Sequence, residues 1–205
     1  MTSTKSTAVL CAAIIATTAL TACDPKQPTP TLAQPPTPVQ PGAAIPFTPV
    51  KQPLDLTPFE NAPCQILTKD QVAAVVADPP SDVIYSPLVD TAVTRCSWNS
   101  GRGPLVAISK PLTKPANLTE LAASRSTDPT HLEPWTEISL QGYPGVIYHS
   151  MEGPDWCDVA IGVSDTQMLH FSFGATGSPS RYWAKDRCGG VLKTADFVLD
   201  NLRHH

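Results

Sequence analysis

Several short segments in the second half of the chain alternate apolar and polar residues. In Cys157–Val163 and Met168–Phe173 the large apolar residues recur at every second position, and Ser164–Gln167 separate the two runs. Alternation over this length is typical of strands with one buried face, so the pair predicts a β-hairpin. Further strands are predicted in four segments: Thr94–Asn99, Leu105–Ile108, Glu137–Leu140 and Gly145–His149.

Helical patterns lie at both ends of this region. Apolar residues recur at spacings of three and four within about Arg181–Leu202, which predicts a long helix. Thr68 and Gln71 have the spacing of a capping box inside a predicted helix over Cys64–Val76, and Leu118–Ser124 predicts a short one. The fold class that follows is α+β: an antiparallel sheet of five to six strands packed by an N-terminal and a long C-terminal helix.

The first residues form a hydrophobic run that is too short for a membrane span. About fifteen residues, Ala8–Ala22, would cover roughly 22 Å as a helix, against a hydrocarbon core of ~30 Å. The run ends in Leu-Thr-Ala-Cys at Leu20–Cys23, which resembles the bacterial lipobox, where the cysteine is lipidated and becomes the first mature residue. We therefore expect residues 1–22 to be a cleaved lipoprotein signal peptide and Cys23 to be the lipidation site. The alternatives are an ordinary signal peptide with a chance cysteine and an uncleaved anchor.

The segment after Cys23 is dominated by proline. Residues 24–63 hold 12 of the 23 prolines and only five charged side chains. Each proline removes a backbone donor and fixes φ, and so little apolar surface cannot form a core. We expect residues 23–63 to be a lipidated cysteine followed by a Pro/Thr-rich tether without helix or strand, and residues 64–205 to be a single disulfide-bonded globular domain.

The cysteine count indicates an oxidising compartment. Of the six cysteines, Cys11 lies in the signal peptide and Cys23 is the expected anchor, which leaves Cys64, Cys96, Cys157 and Cys188. An even number in an exported chain predicts disulfides, and three pairings satisfy the count. We expect Cys64–Cys96 and Cys157–Cys188, although spacing alone leaves the pairing open. The cysteines are too far apart in sequence for the close ligand pairs of a structural zinc site.

Charge and motifs argue against several classes of function. The formal net charge is −4 and no cluster of Lys or Arg is present, which argues against nucleic acid or anionic lipid as the main partner. The mature chain lacks the G-x-S-x-G, S-x-x-K, H-E-x-x-H, Walker and Rossmann patterns. We therefore expect no catalytic residues, no metal and no cofactor.

A few side chains are weaker candidates for binding. Trp135 and Tyr143 stand in loop-like contexts and are the best candidates for an exposed aromatic binding surface. His149 and His170 lie on predicted strands, but the sequence offers no third metal ligand, so we expect exposed strand histidines. Three carboxylates, Asp155, Asp158 and Asp165, surround the predicted hairpin. A calcium site would need several of their oxygens to converge, and we expect solvated turn residues instead.

The order of these motifs resembles a known group of proteins. Arg95-Cys-Ser-Trp98, Gly142-Tyr-Pro-Gly145 and Cys157-Asp-Val-Ala-Ile-Gly-Val precede a helix that contains Cys188 and ends Leu199-Asp-Asn-Leu202. Together with the lipobox they resemble the actinobacterial cell-envelope lipoproteins of a domain of unknown function, the group that includes the mycobacterial lipoproteins LprB and LprC. The resemblance implies an envelope lipoprotein with a disulfide-bonded domain and implies no catalytic residues.

We therefore expect a lipid-anchored protein on the extracytoplasmic face of the cell membrane. Two acyl chains on Cys23 would hold it stably, since one chain gives only marginal binding. The domain would be a non-catalytic binding or accessory domain whose partner is an unknown envelope lipid, glycan or protein. The alternatives are a surface protein that blocks or scaffolds another protein and an enzyme that acts on envelope polymers.

Overall fold

The fold is described from a computed structural model. It describes residues 47–76, 83–100, 105–127, 132–149, 156–174, 183 and 186–205. The described residues belong to one compact unit. The expected signal peptide, Cys23, the first half of the expected tether and Asp155 lie outside the described residues. Among the described helices, none combines the length and hydropathy needed to cross a bilayer.

Seven antiparallel strands form one sheet in the order β1-β2-β3-β7-β6-β5-β4. Their bounds are β1 Ile84–Val89, β2 Val93–Asn99, β3 Leu105–Pro111, β4 Thr136–Leu140, β5 Tyr143–Tyr148, β6 Trp156–Gly162 and β7 Met168–Gly174. The α+β class and the antiparallel sheet are confirmed, and so is the β6–β7 hairpin. The sheet has seven strands, which is more than the expected five to six.

The additional strand is β1, at one edge of the sheet. All six of its residues are exposed, so no alternation of buried and exposed positions marks it in the sequence. Pro87 lies in its middle, and a proline argues against a strand unless that strand is at an edge. β1 pairs with β2 alone, which explains how the proline is accommodated.

Four α-helices lie among the described residues: α1 Thr57–Asn61, α2 Lys69–Val75, α3 Leu118–Thr127 and α4 Arg187–Arg203. The capping box of Thr68 and Gln71 is present at the start of α2. The preceding residues Pro63–Gln65 form a single turn of 3-10 helix, so the predicted helix begins later than Cys64.

The two faces of the sheet have different coverings. One face, called the α4 face, carries Ile108, Val159 and Phe171, all fully buried beneath α4 in the main core. The other, called the opposite face, carries Val146 and Ala160 in a smaller core beneath α3. Strand alternation places every second residue on each face, so Ser109 of β3, Asp158 of β6, and His170 and Ser172 of β7 all lie on the opposite face.

Residues 50–63, called the N-terminal strap, belong to the folded domain. Phe59 in α1 is fully buried in the main core and Leu56 is nearly so. The Leu54 amide donates to the Val163 carbonyl at 3.0 Å, and the Val50 amide donates to Asp165 Oδ1 at 2.9 Å. The expectation of a tether up to residue 63 is therefore wrong for this part, because a few apolar residues between the prolines are enough to join an existing core.

Both disulfides have the expected pairing. Cys64–Cys96 joins the 3-10 turn to β2, and Cys157–Cys188 joins β6 to the first turn of α4. Each links a helical segment to a central part of the sheet, so the bridges fasten both ends of the domain to the α4 face.

Candidate ligand-binding site

The two aromatic residues expected on an exposed surface lie on different sides of the sheet. Tyr143 is on the α4 face and only 4% exposed, and its hydroxyl donates to the Gln52 carbonyl at 2.9 Å. Trp135 is half-buried against the small core of the opposite face, with its ring 6.2 Å from that of Tyr148. They form no common patch, and Tyr143 serves to hold the strap in place.

A polar cluster occupies the centre of the opposite face and is called the Asp158 cluster. It consists of Asp158 on β6, His170 and Ser172 on β7, Ser109 on β3 and Tyr148 on β5. The sheet register explains why they meet. Asp158 pairs directly with Ser172 and with Tyr148, and Ser109 pairs directly with His170.

Asp158 is fully buried, so the expectation that it is solvated is wrong. Its Oδ1 atom accepts a short hydrogen bond from the Ser172 hydroxyl. The same oxygen lies 3.3 Å from His170 Nε2, close enough for electrostatic attraction but at an angle that does not make a hydrogen bond. A buried carboxylate is costly unless hydrogen-bond donors compensate it, and the Ser172 hydroxyl is one such donor.

The second nitrogen of His170 faces β3. Ser109 Oγ lies 3.4 Å from His170 Nδ1, at the long end of a hydrogen bond. The carboxylate beside Nε2 favours the proton on that nitrogen, which leaves Nδ1 to accept from the serine in the neutral ring. The His170 side chain is 23% exposed, so this end of the cluster is reachable from solvent whereas Asp158 is not.

Tyr148 closes the cluster on the β5 side. Its ring lies 5.8 Å from the His170 ring. Burial, and then the negative charge of Asp158, raise the pKa of the Tyr148 hydroxyl above its ordinary value of 10.0. The phenol therefore stays protonated and can only act as a neutral hydrogen-bonding group.

Ser109, His170 and Asp158 contact each other in the order of a nucleophile, its base and the group that orients the base. Acyl transfer would also need donors for the oxyanion. β3 lies between β2 and β7, so its amide hydrogens are directed into the sheet ladders and not toward this face. The β3 backbone beside Ser109 therefore supplies no oxyanion donor on this face.

The remaining described features lie away from this cluster. Two clefts of about 150 and 190 Å³ flank Phe47 beside β5, and each has a single carboxylate, Asp165 or Glu137. Within the described ranges no three side chains of the metal-binding types come together. His149 follows Tyr148 directly, and strand alternation does not place it on the face of His170.

The edge strand β1 presents the largest exposed apolar side chains of the described domain. Ile84 and Val89 are 61% and 63% exposed, and Tyr85 and Leu88 are also exposed. Leu112, hydrogen-bonded through its amide to Ala92 beside the β1–β2 turn, extends this surface. We call it the β1 patch.

The sequence does not identify Ser109 as a candidate, because a single serine in a strand belongs to no recognisable motif. Asp158 and His170 were noticed but expected at exposed positions, because the alternation of β6 and β7 identifies one buried face and says nothing about the other. The register between β3 and β7 is the information that brings the three together.

Comparison with known proteins gives a family. No curated protein matches the chain, and no solved structure does. A family model described as a protein of unknown function, DUF3558, matches residues 18–201. This match spans most of the described domain as well as Cys23, and the chain therefore belongs to the DUF3558 family.

Proposed function

We propose that this protein is a lipid-anchored lipoprotein on the extracytoplasmic face of the actinobacterial cell membrane, with a non-catalytic binding domain. The lipobox-like Leu20–Cys23 supports the anchor. The two disulfides are consistent with an oxidising compartment, because cytoplasmic proteins rarely keep them.

The observation that carries the binding part of this proposal is the Asp158 cluster. A sheet gains little stability from a buried carboxylate, a histidine and two serines where apolar side chains would pack instead. Such a group is a reasonable functional-site candidate when part of it is accessible, as His170 and Ser109 are. We infer that an envelope lipid, glycan or protein binds at this accessible end.

The anchor is tested by fractionation of cells that express the full chain or its Cys23→Ser variant. The wild type should partition into detergent and show the mass of a diacylated chain that begins at Cys23. The variant should lose both properties and keep the fold of the domain. A wild-type protein that partitions into the aqueous phase would refute lipid anchoring.

The binding site is tested by native mass spectrometry of the full chain purified from envelope. The wild type should carry a bound mass that is absent from His170→Ala, provided that both melt at the same temperature. His204→Ala, which removes a mostly exposed histidine at the C-terminus, serves as the matched control. An empty wild type would refute ligand retention at this cluster.

The non-catalytic part has its own test. A fluorophosphonate probe reacts with activated serines, and we expect no labelling of the wild type at Ser109. Labelling that disappears in His170→Ala would overturn the proposal and show a serine nucleophile.

A second candidate function is favoured by the β1 patch. Exposed apolar side chains on an edge strand are typical of protein contact surfaces, so the domain would bind and block or scaffold another protein there. A photo-crosslinking residue at Ile84 should then capture a specific partner in cells, and one at Glu137 on the opposite edge should not. Equal capture at both edges would argue against this function.

A further inference from the structure

Three side chains lie in one row across adjacent strands of the opposite face. Arg95 on β2 pairs with Ser109 on β3, and Ser109 pairs with His170 on β7. Directly paired residues have Cβ atoms about 4.5–5.5 Å apart, so the long Arg95 side chain can place its guanidinium over Ser109. The row therefore contains a guanidinium, a hydroxyl and an imidazole side by side.

Two groups of this row, the Arg95 guanidinium and the Ser109 hydroxyl, can donate hydrogen bonds to a ligand. Arg95 is exposed, and Ser109 and His170 are half-buried. The Asp158 carboxylate cannot contact a ligand on this face, because its side chain is 1% exposed. A ligand that approaches this face therefore meets the positive charge of Arg95 first, and not the carboxylate beneath.

Arg95 has no carboxylate partner in the part of the chain that the structure describes. Asp90 in the β1–β2 turn feels its charge, since Arg95 is the weakest of the causes that lower the pKa of that carboxyl. The two do not approach to the 4.0 Å of an ion pair. The guanidinium is thus available for a carboxylate or phosphate, which its planar fork can bind with two parallel hydrogen bonds.

We propose that Arg95, Ser109 and His170 bind an anionic group, a phosphate or a carboxylate, on the ligand of this domain. This inference rests on the proposed function and specifies the chemistry of its ligand. Arg95 supplies the charge, and the Ser109 hydroxyl turns from its long 3.4 Å contact with His170 Nδ1 to donate its hydrogen to an anion oxygen. His170 lines the site on the other side of Ser109. The phosphate can belong to a lipid headgroup or to a soluble or polymer-borne ester.

The experiment is an NMR titration of residues 23–205 with Cys23→Ser, monitored at the backbone amides of Arg95, Ser109 and His170. The probes are inorganic phosphate, acetate and chloride at constant ionic strength. Phosphate or acetate should shift these amides saturably, and chloride should not. Arg95→Gln should raise the dissociation constant of whichever anion binds by about tenfold or more, because a hydrogen bond to a charged group is lost together with the charge.

Arg203→Gln is the matched control, since it removes the same charge from the end of α4, where Arg203 packs over Tyr143. It should leave the titration unchanged. A response common to all three anions, or one that Arg95→Gln leaves intact, would overturn the inference. If the titration gives either of these results but native mass spectrometry still shows a retained ligand, the anion site is refuted and the proposed binding function still stands.

A further measurement separates the sources of phosphate. If a lipid headgroup is the ligand, the same protein should co-sediment with phosphatidylglycerol vesicles and should not co-sediment with phosphatidylcholine vesicles. Binding to both vesicles with equal strength in wild type and Arg95→Gln would contradict recognition of a headgroup by this row.

Discussion

Phe59→Ala tests whether the N-terminal strap is part of the domain's core. The side chain of Phe59 is fully buried, and its neighbour Leu56 is 3% exposed. Truncation of a fully buried phenylalanine typically costs about 3–5 kcal/mol, through lost transfer free energy and the cavity that remains. The stability of a whole domain is only about 5–15 kcal/mol, so this single change should remove a large fraction of it.

The assay is urea denaturation of residues 23–205 with Cys23→Ser at pH 7 without reductant, followed by tryptophan fluorescence. Leu112→Ala is the control, because Leu112 is 43% exposed and its truncation should change the free energy of unfolding by no more than about 0.5 kcal/mol. A loss below about 1 kcal/mol for Phe59→Ala would refute the reasoning and restore the tether boundary at Cys64.

Three further changes test other parts of the fold. Gly145→Ala should lower the unfolding free energy by about 1–3 kcal/mol in urea, because the new Cβ would lie 2.8 Å from the Ala160 carbonyl oxygen; an unchanged midpoint would contradict the close packing. Replacement of both Cys157 and Cys188 by alanine should cost about 3–4 kcal/mol for a loop of this length, and equal melting of the two proteins would refute a stabilising bridge. Hydrogen bonds from Lys193 and Gln141 lower the pKa of Asp196 below 3.8, so its contribution to stability is present at neutral pH and lost as pH falls below about 4. Asp196→Asn should therefore differ from wild type more at pH 7 than at pH 3, and a constant difference would contradict this assignment.

The strength of each local signal decided what the sequence could predict. The β6–β7 hairpin and α4 were predictable because their apolar residues follow one clear period over a long stretch. The strand that the sequence did not predict, β1, has no buried side and contains Pro87, so neither alternation nor composition marks it. Sequence patterns depend on the residues of the segment itself, whereas β1 forms a strand because it pairs with β2.

The same limit applies to the strap and to the candidate site. Phe59 lies in a segment with twelve prolines, and it is buried because it packs into the main core. The residues around it in the sequence do not indicate this burial. His170 and Asp158 stand twelve residues apart in sequence, and Ser109 stands 61 residues from His170 and 49 from Asp158. They meet through pairing of β3 with β7, which is a long-range choice of the fold.

The docked strap limits how far the domain can stand from the membrane. If Cys23 carries the lipid, only the 24 residues up to Phe47 separate the anchor from the described domain, and even a fully extended chain of that length spans no more than roughly 80 Å. An undocked segment up to residue 63 would have allowed about 135 Å. Phe47 lies beside Glu137 on the β4 edge. The sheet is about 29 Å wide from that edge to β1, given seven strands spaced about 4.8 Å apart. The segment from Cys23 therefore reaches the domain at one edge of the sheet, and the β1 patch lies at the other edge. In a lipid-anchored protein, the β1 patch would be the part of the domain that can reach farthest from the membrane.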